Sequence, residues 1–101
     1  MRLSSIPDNY AVTSASFKTT VAAGRAISKV VKKGIPISAL EFMDEHSVGV
    51  VKSFTGLPLP EAAAMVLIEC TGSEREVQSH LASIAEILRE EGGFGLGVSR
   101  D

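Results

Sequence analysis

The sequence predicts an α+β fold: a four-stranded antiparallel sheet with two main helices on one face. Three observations carry this expectation. Four short stretches are β-branched and apolar or alternate from one residue to the next, as strands do. Two longer stretches repeat apolar residues at helical spacing. The two kinds of stretch alternate along 101 residues without a linker, repeat or low-complexity segment.

The first strand is expected over Tyr10 to Phe17, YAVTSASF, with Thr13, Ala15 and Phe17 on one face. A helix follows over Thr20 to Gly34. Its apolar stripe is Val21, Ala23, Ala26, Ile27, Val30 and Val31. Thr19 or Thr20 can cap its start by accepting from orphan amides. Lys32 and Lys33 suit the negative end of the helix dipole, and Gly34 and Pro36 stop the helix. Ile37 to Met43, ISALEFM, reads as a strand with Leu40 and Phe42 on one face and Ala39, Glu41 and Met43 on the other. Asp44 then caps a short helix from Glu45 to about Phe54, with Val48, Val51 and Phe54 inward. Thr55 to Pro60, TGLPLP, is an irregular loop.

Ala63 to Thr71, AAMVLIECT, is a strand with two apolar faces. Val66, Ile68 and Cys70 share one; Met65, Leu67 and Glu69 share the other. Ser73 to Glu91 is a helix opened by a capping box, Ser73-Glu74-Arg75-Glu76. Val77, Leu81, Ile84 and Leu88 form its stripe, and Gly92 and Gly93 end it. Phe94 to Ser99, FGLGVS, is the last strand, with Phe94, Leu96 and Val98 on one face. With the short helix set aside the order is βαββαβ, a ferredoxin-like arrangement. The helices take one sheet face. Ala39, Glu41, Met43, Met65, Leu67 and Glu69 fall on the other.

Composition narrows the function. Hydrophobic residues are 45% and charged residues 22%, which excludes wholesale disorder. Ten Lys and Arg against twelve Asp and Glu give a net charge of −2, so nothing draws the chain to nucleic acid. An RNA-reading sheet also needs exposed aromatics, and Tyr10 is the one tyrosine beside no tryptophan. No apolar run approaches a membrane span, and the first ten residues lack the apolar stretch of a signal peptide. The single cysteine, Cys70, forms no internal disulfide. A cytoplasmic protein is the expectation. Mean hydropathy is +0.21, high for so small a domain, which hints at a covered partner surface.

Several motifs have plain structural readings. The glycines of Gly93-Phe94-Gly95-Leu96-Gly97 follow a helix instead of opening one, so they do not make a dinucleotide fingerprint. His46 and His80 have no partner at a metal-ligand spacing. Cys70 on a buried strand is a small core hydrophobe. No Gly-x-Ser-x-Gly elbow exists for a serine nucleophile. Glu41 and Glu69 stand out: each is a lone carboxylate on a face shared with Met43, Met65 and Leu67. A solvated sheet face reads polar at alternate positions, and this one does not. The face is therefore expected to be covered by something else.

The strings GIPISALEFMD and GLPLPEAAAMVLIECTG, followed by the helix opening SEREV, resemble the C-terminal domain of FAD-linked oxidases. More narrowly they resemble the glycolate oxidase flavin subunit and D-lactate dehydrogenase group. The matching residues are Gly34, Pro36 and Ala39 to Asp44, then Leu67 to Gly72, and the N-terminal SASFKTTVAAGRAISKVVKKG resembles the family's strand and following helix. The resemblance implies a cap domain whose sheet lies over a flavin held by a separate domain, in an enzyme that oxidises 2-hydroxy acids by hydride transfer to FAD. It implies that residues 1–101 form one domain-sized part of that cap. FAD would belong to the parent protein, with none bound to this chain and no turnover from it alone. Glu41, Met43, Met65, Leu67 and Glu69 become candidates for the flavin- and substrate-facing surface, none of them catalytic. The expected partners are the flavin-binding domain or other subunits of the parent, and a further copy of the chain. The competing reading is a free-standing ferredoxin-like ligand-binding or regulatory module that dimerises through its sheet.

Overall fold

The computed structural model describes residues 9–47, 53, 56 and 63–100. The elements are β1 (Asn9–Phe17), α1 (Thr20–Lys32), β2 (Ala39–Asp44), β3 (Ala64–Gly72), α2 (Glu74–Glu90) and β4 (Phe94–Arg100). The strands form one antiparallel sheet in the order β2-β3-β1-β4. Each helix thus joins two strands that lie either side of a third, which is the ferredoxin-like topology.

The core lies between the two helices and the central strands. Phe17 of β1 and Val66 and Ile68 of β3 meet Val30 of α1 and Ile84 and Leu88 of α2. All are essentially inaccessible to water. Burial of each such side chain is worth about 1.5–3 kcal/mol relative to exposure. Ala15, Ala23, Ala26 and Ala64 fill the same cluster, and their small side chains let the helices sit close to the sheet. Ala11, Cys70 and Val77 form a smaller cluster at one end. Burial pushes the Cys70 thiol pKa up, as expected of a core hydrophobe.

Local signals set the helix ends. Thr19 Oγ1 accepts from the Ala22 amide at 3.0 Å and caps α1. Both halves of the α2 capping box form. Ser73 Oγ accepts from the Glu76 amide at 3.2 Å, and Glu76 Oε1 accepts from the Ser73 amide at 2.9 Å. That second bond holds the Glu76 carboxyl below its ordinary pKa. The C-terminus of α2 closes in a Schellman motif. Gly92, with φ +92°, donates to Arg89 O at 3.0 Å, and Gly93 donates to Leu88 O at 2.8 Å. Among the described residues two ion pairs tie elements together: Lys29 with Glu91 at 2.6 Å, and Arg100 forked onto Glu74 at 2.7 and 3.2 Å.

Four expectations need correction or restriction. Val21 and Val31, expected in the α1 stripe, are exposed because they flank it instead of meeting the sheet. β2 begins at Ala39, after Pro36 and Ser38, and not at Ile37. The helix expected from Glu45 to Phe54 is helical at the residues described, 45–47 and 53, and Asp44 Oδ1 caps its start by accepting from the Ser47 amide at 2.9 Å. Val48, Val51 and Phe54 lie outside the described residues, as does most of the TGLPLP loop. The fourth concerns β4. Ser14 pairs with Gly97 but Ser16 pairs with Phe94, so β4 carries one extra residue. Gly95, at φ +61°, takes the left-handed conformation that such a bulge demands. The bulge separates Phe94 from Leu96: Leu96 packs on the core, whereas Phe94 opposes Ser16 on the other face.

Candidate functional site

The helix-free face is a grid read off the strand register. One row across the sheet is Met43, Met65, Ser16 and Phe94; the next is Glu41, Leu67, Ser14 and Gly97; the third is Ala39, Glu69, Val12 and Ser99. The faces alternate as the sequence predicts, so Glu41, Met43, Met65, Leu67 and Glu69 do come together on one surface. Met43, Met65, Leu67 and Glu69 are half-buried and Glu41 is exposed.

A shallow hollow of about 280 Å³ opens on this face. It is lined by Val12, Ala39, Leu40, Glu41, Leu67 and Glu69. Four of these residues are aliphatic and two are glutamates. Ser38, just ahead of β2, orients one of them: its Oγ donates to Glu69 Oε1 at 3.1 Å, while its amide donates to Glu69 O at 2.8 Å. In the neighbouring row Ser16 is fully buried and its Oγ has no hydrogen-bond partner. Its cross-strand neighbours there are Met65 and Phe94.

Charge is segregated across the sheet. The described cations are Lys18 in the turn after β1, Arg25, Lys29, Lys32 and Lys33 on or at the end of α1, Arg75 and Arg89 on α2, and Arg100. Arg100 opposes Ala11 on the helix side and pairs with Glu74. Among the described residues the helix-free face therefore carries carboxylates and no cation. No group of three or more His, Cys, Asp or Glu able to hold a metal occurs among them either.

Val12, Ser16, Ser38 and Phe94 were missed as members of the site. Val12 and Ser16 were legible, since alternation along β1 puts them opposite Thr13 and Phe17. Phe94 was not, because one bulged residue reverses its face. Ser38 acts through a contact 31 residues away, which spacing does not reveal.

A profile of the family described as "FAD linked oxidases, C-terminal domain" matches residues 6–101. The chain belongs to this family. It is 24% identical over 101 residues to the "Probable D-lactate dehydrogenase, mitochondrial" of Danio rerio, covering all of this chain and 20% of that protein. It is 32% identical over 89 residues to the "Glycolate oxidase subunit GlcD" of Escherichia coli, covering 86% of this chain and 18% of the relative. Among solved structures, alkyldihydroxyacetonephosphate synthase superposes with a TM-score of 0.70 at 18% identity, over 93% of this chain and 20% of that one. p-Cresol methylhydroxylase superposes with a TM-score of 0.53 at 11% identity, over 93% and 22%. These structural likenesses share the fold. The chain spans about a fifth of the length of these proteins.

The family name implies FAD, and the described residues of this FAD-linked oxidase domain do not form a site for it. A dinucleotide needs a cradle for its diphosphate: cations, or glycine-rich backbone at a helix N-terminus. Among the described residues the helix-free face has no cation, Gly97 lies within a strand and Gly95 at its bulge. Both follow α2 instead of opening a helix.

Proposed function

We propose that this chain is part of the substrate cap of an FAD-dependent oxidoreductase acting on a 2-hydroxy acid of the glycolate or D-lactate type. In this reading the helix-free face turns towards a flavin-bearing domain. The observation that carries it is the row Met43, Met65, Ser16 and Phe94, which continues apolar through Leu67 and Val12. Such a face on one side of an antiparallel sheet is built to be covered. The family and the names of the relatives supply the chemistry. Glu41, Met43, Met65, Leu67 and Glu69 would line the covered side, with Val12 and Phe94 added. None of them is assigned a catalytic step. The family match does not favour the free-standing ligand-binding or regulatory module.

The test uses the full-length protein that carries these residues. It should purify with a flavin absorbance band that bleaches anaerobically on addition of glycolate or D-lactate. Replacing Leu67 with Asp should weaken that reduction. A full-length protein without flavin, or one whose flavin no 2-hydroxy acid reduces, would refute the reading.

A further inference from the structure

The two edges of the sheet differ. An edge strand exposes unpaired N–H and C=O groups and invites another strand unless something blunts it. β4 is blunted: its bulge at Gly95 bends the strand. β2 is not. Its six residues pair with β3 in unbroken register, none is Pro or Lys, and among the described residues no strand lies on its outer side. It carries apolar residues on both faces, and its two exposed carboxylates, Glu41 and Asp44, fall one on each. Leu40 and Phe42, on the helix side, are 39% and 45% exposed, and Ala39 and Met43 lie on the other side.

We infer that β2 pairs antiparallel with β2 of a second copy of this chain, about a two-fold axis that runs perpendicular to the sheet midway between the two Phe42 residues. The occupant is a second copy because the strand is self-complementary in one register. Such an axis keeps the helix side with the helix side, so each residue must oppose one from its own face. Two registers then pair five residues of each strand. The register centred on Glu41 sets two carboxylates directly opposite each other, which is destabilising. The register centred on Phe42 sets Phe42 against Phe42, Glu41 against Met43 and Leu40 against Asp44. No like charges are directly opposed, and the two Glu41 side chains fall on a diagonal about 7–8 Å apart. The contact uses the same patch on both copies, so it closes at a dimer. The result is one eight-stranded sheet that ends on bulged β4 edges. This inference rests on the β2 edge and not on the cap reading.

The test uses the 101-residue chain itself. Sedimentation over rising concentration should show a monomer–dimer equilibrium. Phe42→Lys should leave a monomer, while Leu67→Asp, on the open face, should leave the dimer intact. Register is tested by cross-linking. Opposed Cα atoms across antiparallel strands lie about 4.5–5.5 Å apart, within disulfide reach of about 4.4–6.8 Å. Phe42→Cys should therefore form a disulfide-linked dimer under mild oxidation, with buried Cys70 silent. Leu40→Cys should not, since its own copy sits four residues along, about 13 Å away. Both positions are well exposed, so these variants should keep the fold, and matched melting curves would show it. A monomer at every concentration would overturn the inference. So would a dimer lost in Leu67→Asp but kept in Phe42→Lys, or equal cross-linking at positions 40 and 42.

Discussion

Replacing Gly93 with alanine puts a methyl group where the fold has no room. The Cβ would lie 2.7 Å from Leu88 O and 3.2 Å from Phe17 Cζ. Neither neighbour can yield cheaply. Leu88 O already accepts the Gly93 amide at 2.8 Å in the Schellman closure, and Phe17 is fully buried. Overpacking a core costs about 1–3 kcal/mol, and losing the closing hydrogen bond costs about 1 kcal/mol more. Against a total stability of about 5–15 kcal/mol that is severe. A domain of this size loses about 4–8 °C of melting temperature per kcal/mol, so Gly93→Ala should melt at least about 8 °C lower. Gly24→Ala is the matched control. Gly24 lies within α1, and a Cβ there meets nothing within 4 Å. Both substitutions reduce the freedom of the unfolded chain equally, so their difference isolates the contact at Gly93. Gly24→Ala should stabilise by about 0.5–1 kcal/mol. Circular dichroism melts with urea titrations at a common pH measure both. A Gly93→Ala protein that melts at or above the parent would refute the close-approach argument.

Ser73→Ala removes the acceptor for the Glu76 amide and should cost about 1 kcal/mol, read as a lower urea midpoint with an unchanged slope. Glu74 is held below its ordinary pKa first by its hydrogen bond from Arg100, and Glu76 by the Ser73 amide. Their stabilisation is present above the ordinary carboxylate range and is lost as pH falls through the lowered pKa values, so Glu76→Gln should flatten the acid limb of a stability–pH curve. Cys70 should resist a thiol reagent in the native chain and react at the rate of unfolding; fast native labelling would contradict its burial. The purified chain should be colourless, since its described residues form no diphosphate cradle, and a flavin band that co-purifies in stoichiometric amount would refute this.

The faces of β2 and β3 were legible because period-2 alternation needs no knowledge of neighbours, and both strands keep it without a break. The α2 start was legible because a capping box is a local exchange of two hydrogen bonds. Coverage was not legible. Among the described residues, α1 and α2 pack on the central pair and on Leu96 of β4 but not on β2, so Leu40 and Phe42 face the helix side yet stay wet. Alternation assigns a side and says nothing about what lies above it. Phe94 fails for a different reason: the glycines at 95 and 97 are equally compatible with a flat strand and a bulge, and the choice depends on pairing with β1. On the candidate site, the five residues drawn from alternation do share a surface, whereas Ser38 and Phe94 depend on tertiary pairing.

The segregation of charge across the sheet sorts what can approach the open face by sign. An anion arriving there meets Glu41 and Glu69, with every described cation on the far side or in the turn after β1. On the cap reading, the carboxylate end of a hydroxy acid has to find its counter-charge off this face. What the face can accept is the hydrocarbon end of such a molecule, or a basic side chain from the domain that covers it. Its aliphatic residues make the surface greasy and its two glutamates make it a poor anion anchor, so on the cap reading a molecule held beneath it would take its orientation from avoidance as much as from contact.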